Sequence, residues 1–204
     1  MASSNTHDVS PLPRRRIAGL ILAGIGIIVV GAALSVLLSE NRSADTTGAA
    51  DYSAIPAKVS YAAPALQLTD IGGTERSLDQ YAGQVVLVNL WATWCPPCTA
   101  EMPNLQRFQE RHGTEGFTVI AVDDGDPRQE VVAFIAARGL TFPVWLDPTY
   151  EATDRAFKTS NLPSSYVVDR DGIVRLVWFG AISEANLERY VTPLIKEESN
   201  WMPA

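Results

Sequence analysis

Cys95 and Cys98 are the only cysteines in the chain, and they stand three apart. A CxxC pair can close a small disulfide ring, and thiol-disulfide exchange needs two sulfurs so arranged. One thiolate attacks a disulfide to give a mixed disulfide, and a second thiol then attacks that bond from inside and resolves it. The other chemistry open to such a pair is half of a zinc site. Zinc requires two further Cys or His ligands, and the histidines are His7 and His112, so redox chemistry is the reading the pair favours. A scaffold stapled by disulfides needs more cysteines at wider spacing.

The elements around the pair define its position. Gln84 to Trp91 (QVVLVNLW) is a nearly continuous apolar run, the pattern of a central strand covered on both faces. After Cys98 the apolar positions Met102, Leu105 and Phe108 continue at helical spacing to His112-Gly113, and Phe117–Asp123 reads as a second buried strand. The cysteines therefore lie where a strand passes into a helix. Unpaired N–H groups and the macrodipole at that helix N-terminus favour a thiolate on Cys95. Cys95 is the expected nucleophile and Cys98 the resolving thiol.

Ahead of this core, Leu66–Thr69 reads as a short strand, Gly72-Gly73 as a turn and Ser77–Tyr81 as a helical turn. Beyond it, Asp126-Pro127 predicts an N-cap and a helix over Pro127–Arg138 that stops at Gly139. A strand is expected at Phe142–Leu146, a helix from Asp147-Pro148 through Phe157, and strands at Ser165–Asp169 and Ile173–Trp178 joined by the Asp171-Gly172 turn. A last helix is expected from Ser183 to about Glu197. This order gives an α/β fold: a central mixed sheet, parallel in its first part and antiparallel in its last, with helices on both faces and an N-terminal β extension.

Ile17 to Leu38 is a run of 22 residues without a charge, about 33 Å long as a helix and enough to cross a bilayer. Arg14, Arg15 and Arg16 precede it, and a basic flank tends to stay cytoplasmic. The run is longer than a signal-peptide core, and Val36-Leu37-Leu38 is a poor cleavage site. The expected layout is a short cytoplasmic N-terminus (1–16), an uncleaved single-pass anchor (17–38), a Ser/Ala/Thr/Asp-rich linker (39–62), an extracytoplasmic domain (63–198) and a tail (199–204). The net charge is −7, with +2 in the first 38 residues and −9 in the remainder, which argues against nucleic-acid binding. Asp123-Asp124-Gly125-Asp126 lacks the acidic spacing of a calcium loop, Gly72-Gly73 lacks the setting of a phosphate loop, and no arrangement suggests a Ser-His-Asp triad.

Val86 to Pro103 (VLVNLWATWCPPCTAEMP) resembles the active-site stretch of membrane-anchored thioredoxin-like oxidoreductases of the TlpA and ResA type, and the layout from Ala63 to Glu197 follows theirs. The resemblance implies a thioredoxin-like fold and a redox-active Cys95–Cys98 disulfide as the working group, with no cofactor or metal. Asn89 stands where thioredoxins carry a buried proton-relaying aspartate, and it cannot ionise. Glu101 matches the glutamate that lies near the thiols in the ResA type, so it is expected to accept the Cys98 proton. Pro103 matches a helix-kinking proline, and Pro163 the cis-proline facing the CxxC. Trp94, Pro96, Pro97, Leu162 and Pro163 form the expected substrate-facing surface, and Trp91 is read as core.

What the resemblance implies functionally is an extracytoplasmic reductase of protein disulfides, for example that of apocytochrome c, fed by a membrane thiol transporter. Three other readings compete with it. An oxidant would use the same sulfurs in the reverse direction. A thiol peroxidase is a second, since Leu66–Trp94 also resembles redoxin-type proteins. That class carries threonine three residues before its cysteine, where this chain has Ala92. A non-catalytic assembly factor would use the disulfide only as a staple.

Overall fold

The computed structural model describes residues 55–197. The expected anchor at 17–38, the N-terminus, most of the linker and the tail lie outside the described residues. Among those described, no helix is long and apolar enough to cross a membrane.

The centre of the fold is β4 (Val85–Trp91), buried at every position. Its valine and leucine side chains alternate between two faces, and both faces are covered, which accounts for the unbroken apolar run. On one side it pairs in parallel with β5 (Phe117–Asp123), from Val85↔Phe117 to Trp91↔Asp123. On the other it pairs antiparallel with β7 (Ser164–Val168), from Val86↔Val168 to Leu90↔Ser164. Adding β1 (Ala57–Ala62), β2 (Gln67–Asp70), β3 (Glu75–Ser77), β6 (Val144–Leu146) and β8 (Ile173–Phe179) gives one sheet in the order β1-β8-β7-β4-β5-β6-β2-β3.

Four α-helices are described: α1 (Pro96–His112), α2 (Arg128–Arg138), α3 (Glu184–Tyr190) and α4 (Thr192–Lys196). All four contribute to a single core, in which Met102, Leu105, Phe108, Val131, Ile135, Leu187 and Ile195 meet Val85, Leu87 and Trp91 of β4. The opposite face carries Val86, Val88 and Leu90, and it is covered by Leu66, Leu68, Leu78 and Ala152. Helices were expected on both faces. On the second face the helical elements are short, a 3-10 helix (Leu78–Tyr81) and a π-helix (Glu151–Ala156), and the N-terminal extension completes the cover.

Several expected boundaries change for identifiable reasons. Residues 57–62, assigned to the linker, form β1. Its side chains are mostly exposed, and it is held by the backbone ladder to β8, so no apolar periodicity marked it. The Asp147-Pro148 helix is reduced to the π-helical turn, because the Asp147 carboxylate accepts from the amides of Glu151 and Ala152 (2.7 and 2.6 Å) rather than from a residue in the turn next to it. The last helix divides at Val191, with Pro193 near the start of α4. Asp126 does not cap α2: the N-cap is Pro127, without a side-chain bond, and the Asp126 carboxylate is engaged elsewhere, as described below.

Arg170, in the β7–β8 turn, ties three segments together by donating to the carbonyls of Gly83 (2.8 Å), Glu115 (3.1 Å) and Ile195 (2.8 Å). Hydrogen bonds from a charged donor contribute about 1.5–3 kcal/mol each at most, less where water competes. Arg170→Ala is therefore expected to lower unfolding stability by about 2 kcal/mol in urea titrations. Lysine should restore little, since one ammonium cannot reproduce the guanidinium fork.

Candidate redox site

At the C-terminal end of β4 the chain turns through Ala92–Trp94 and enters α1. Cys95 is the N-cap of that helix, and Pro96, which has no N–H to lose, occupies its first turn. Cys95 and Cys98 are joined by a disulfide with an S–S distance of 2.02 Å. The Cys98 amide points at Cys95 Sγ (3.4 Å), and the Thr99 amide donates to the Cys95 carbonyl (3.0 Å). Both sulfur residues are buried, whereas Pro96 and Pro97 are exposed and Trp94 is 68 % exposed. The ring thus lies just beneath a surface of apolar side chains.

The strand ends bring further residues to this edge. Leu162-Pro163 is a cis peptide immediately before β7, whose Ser164 pairs with Leu90 of β4 and Phe179 of β8. The Gly180 amide donates to the Pro163 carbonyl (2.8 Å). Leu162 is half-buried and Pro163 buried. Phe179, 51 % exposed, joins the same sheet end and was not anticipated, because the expected strand stopped at Trp178, one residue short of it.

Glu101 lies one helical turn beyond Cys98, on the same side of α1, and is almost fully buried. Its Oε1 accepts from the Asn89 side-chain amide (2.8 Å) and its Oε2 from the Ile182 amide (2.7 Å). Burial raises its pKa to about 8 even though these two bonds pull the other way. Asn89 also donates to Ser165 Oγ (2.9 Å), its cross-strand partner in β7. Asn89 is therefore a fixed bridge between the carboxyl and the neighbouring strand. Ser165 and the Ile182 amide escaped the sequence reading, although two adjacent serines in an otherwise apolar buried strand were a usable signal. Trp91 is core, packed against Phe134 with ring centroids 5.0 Å apart.

Among the described residues no group of three or more His, Cys, Asp or Glu side chains is placed to hold a metal ion. His112, at the far end of α1, pairs with Glu115 (2.8 Å). A groove of about 370 Å³ lined by Leu66, Leu78, Tyr81 and Arg170 opens at the other end of β4, away from the disulfide.

A mixed sheet whose central strand runs into a helix capped by the first cysteine of a CxxC disulfide, with a cis-proline turn on the adjacent strand, defines a thioredoxin-like redox protein. The chain belongs to the AhpC/TSA family, whose model matches residues 59–177, and it is a thiol-disulfide oxidoreductase. It is similar to the thiol-disulfide oxidoreductase ResA of Geobacillus kaustophilus, with 30% identity over 172 residues covering 84% of this chain and 94% of that protein. It is also similar to ResA of Bacillus subtilis, at 32% identity over 134 residues covering 66% of this chain and 74% of the relative. Among solved structures it resembles a putative thiol:disulfide interchange protein DsbE from Chlorobium tepidum, at 29% identity and a TM-score of 0.62, covering 68% of this chain and 98% of the other.

Proposed function

We propose that the protein is a reductase of protein disulfides on the outer side of the cytoplasmic membrane. Residues 17–38 anchor it, a membrane thiol transporter supplies its electrons, and apocytochrome c before haem attachment is a fitting substrate. The observation that carries the direction is the surrounding of Cys95 Sγ. Pro96 and Pro97 have no N–H, so the donor facing the sulfur is the Cys98 amide at 3.4 Å. A sparsely solvated thiolate is weakly stabilised, and weak stabilisation of the reduced form favours giving electrons away. The location is supported by the apolar run and its arginine flank, and the donor by the resemblance of Val86–Pro103 to membrane-anchored oxidoreductases of the TlpA and ResA type.

In the reduced protein the Cys95 thiolate attacks a substrate disulfide, forming an S–S bond to one substrate sulfur and releasing the other as thiolate. Cys98 then loses its proton to Glu101 and attacks Cys95 Sγ. The Cys95–Cys98 bond forms, and the second substrate sulfur leaves as thiolate. Two electrons have passed to the substrate. The oxidised state, with Glu101 held largely protonated at neutral pH, is the state that follows this transfer.

Equilibration of the domain from Asp51 to Ala204 against glutathione or dithiothreitol buffers tests the direction. A reduction potential below about −200 mV, towards thioredoxin's about −270 mV, is expected, and one near DsbA's about −120 mV would make the protein an oxidant.

A further inference from the structure

The mechanism above leaves a second group of acids unused, in the β5–α2 loop beneath the nucleophile. Asp126 Oδ2 accepts from the Thr93 amide at 2.6 Å, two residues before Cys95. The Asp126 amide in turn donates to Asp123 Oδ1 at 3.0 Å. Asp123 is the last residue of β5, directly beside Trp91, and is fully buried. The Asp124 amide donates to the Trp91 carbonyl (2.8 Å), and the Cys95 amide donates to the Ala92 carbonyl (3.2 Å). The segment carrying Trp94 and Cys95 is thus fastened to β5 through two carboxyl groups in series.

We propose that Asp123 and Asp126 are positioning residues for the Cys95 nucleophile, Asp126 by holding the Thr93 amide and Asp123 by holding Asp126. The proposal rests on the reading of Cys95 as the attacking thiol. Holding Thr93 keeps Cys95 at the cap of α1, where the Cys98 amide faces its sulfur. Without the tether the sulfur can leave that position and lose the donor.

The environment of the pair makes the arrangement sensitive to pH. Burial, with the adjacent Asp126 carboxylate adding to it, raises Asp123 to about 8. The groups around it are acidic: Asp124 on the same loop, raised by burial and by Asp147 and Asp154, with Asp147 following β6 and Asp154 in the π-helical turn. Arg128, at the head of α2, directs its guanidinium to the Ile71 carbonyl (2.6 Å). Glu101, on α1, is held separately by Asn89 and Ile182. At neutral pH Asp123 is therefore mostly uncharged. Above about pH 8 Asp123 gains a negative charge in this acidic surrounding, which is expected to loosen the bond from the Thr93 amide to Asp126.

The test compares Asp126→Asn with Asp126→Ala in the full chain. Both remove the charge, and only alanine removes the acceptor. Alkylation of Cys95 by iodoacetamide in the reduced protein, which needs no disulfide substrate, is expected to be roughly threefold or more slower at pH 7 in the alanine variant than in the asparagine variant, with a higher apparent thiol pKa. Equal rates and equal thiol pKa values in the two variants would overturn the proposal. If alanine does not fold, the Thr93 amide resonance of the oxidised, nitrogen-15-labelled chain decides. It should shift between pH 7 and 9 in the wild type and in Glu101→Gln but stay fixed in Asp123→Asn, and a shift persisting in Asp123→Asn would overturn the proposal. Failure of the wild-type protein to reduce any disulfide would instead refute the functional reading, leaving these two measurements to decide the positioning role.

Discussion

The Cys98→Ser protein is expected to halt after its first step and to accumulate as a covalent adduct with its substrate. Cys95 keeps its place at the cap of α1 and can still attack, but the serine hydroxyl cannot displace the substrate sulfur, so the mixed disulfide persists. Turnover with a protein disulfide should fall to background, and the adduct should appear on non-reducing gels and in intact-mass spectra and vanish with dithiothreitol. Cys95→Ser should lose turnover as completely without forming any adduct, because Cys98 lies inside the first turn of α1 and is the more deeply buried of the two, 0 % exposed against 4 % for Cys95. Adducts forming equally with both variants would reverse the assignment of the two sulfurs. An activity in cells that survives loss of both cysteines would leave only the non-catalytic reading.

Glu101→Gln is expected to slow resolution by about 10²-fold while leaving the first attack nearly unchanged, since a positioned general base contributes roughly that much or more. Rapid-quench measurement separates the steps: release of the first substrate thiol stays fast, and decay of the mixed disulfide becomes slow. The substitution should fold. Glutamine retains one acceptor for the Ile182 amide, and Asn89 can turn its amide so that Oδ1, unpartnered among the described residues, accepts from the new NH₂ and from Ser165. An unchanged resolution rate would reduce Glu101 to a structural acid.

The same variant makes a prediction about stability. In the oxidised fold Glu101 has a pKa near 8, against an ordinary 4.5, so between those pH values the native state binds more protons than the unfolded one. Stability must then fall as pH rises through that window. Asp123, raised from 3.8 to about 8, acts with the same sign. Denaturant titrations of the oxidised protein from pH 5 to 9 should show this decline, and Glu101→Gln should flatten it in part.

Much of the site was written in local sequence. The CxxC pair, the valine-rich strand leading into it and the helix beyond are adjacent-residue patterns, and each follows from rules that act over a few residues: strand burial, helix capping, the missing proline amide. The cis peptide at Pro163 was legible only through the resemblance to TlpA- and ResA-type proteins, since most X-Pro bonds are trans. Glu101 could be placed one turn from Cys98 because helical spacing fixes that relation. The linker boundary failed for the opposite reason. The strand at 57–62 exists through its ladder to β8, more than a hundred residues away, and its exposed side chains leave no periodic mark.

Asp126 illustrates the same divide. Asp-Pro before an apolar repeat is a good local signal for a helix cap, yet the carboxylate bonds to Thr93, 33 residues earlier, a partner that only the parallel pairing of β4 and β5 brings within reach. Ser165 and Ile182 converge on Asn89 and Glu101 in the same way, from β7 and from the chain beyond β8. The sequence alone determined that Cys95, Cys98 and Glu101 share one end and one side of a helix, because those relations are helical and short. Tertiary structure decided which groups hold that acid and that nucleophile in place, because a buried polar side chain takes its partner from whichever strand lies beside it, whatever its distance along the chain.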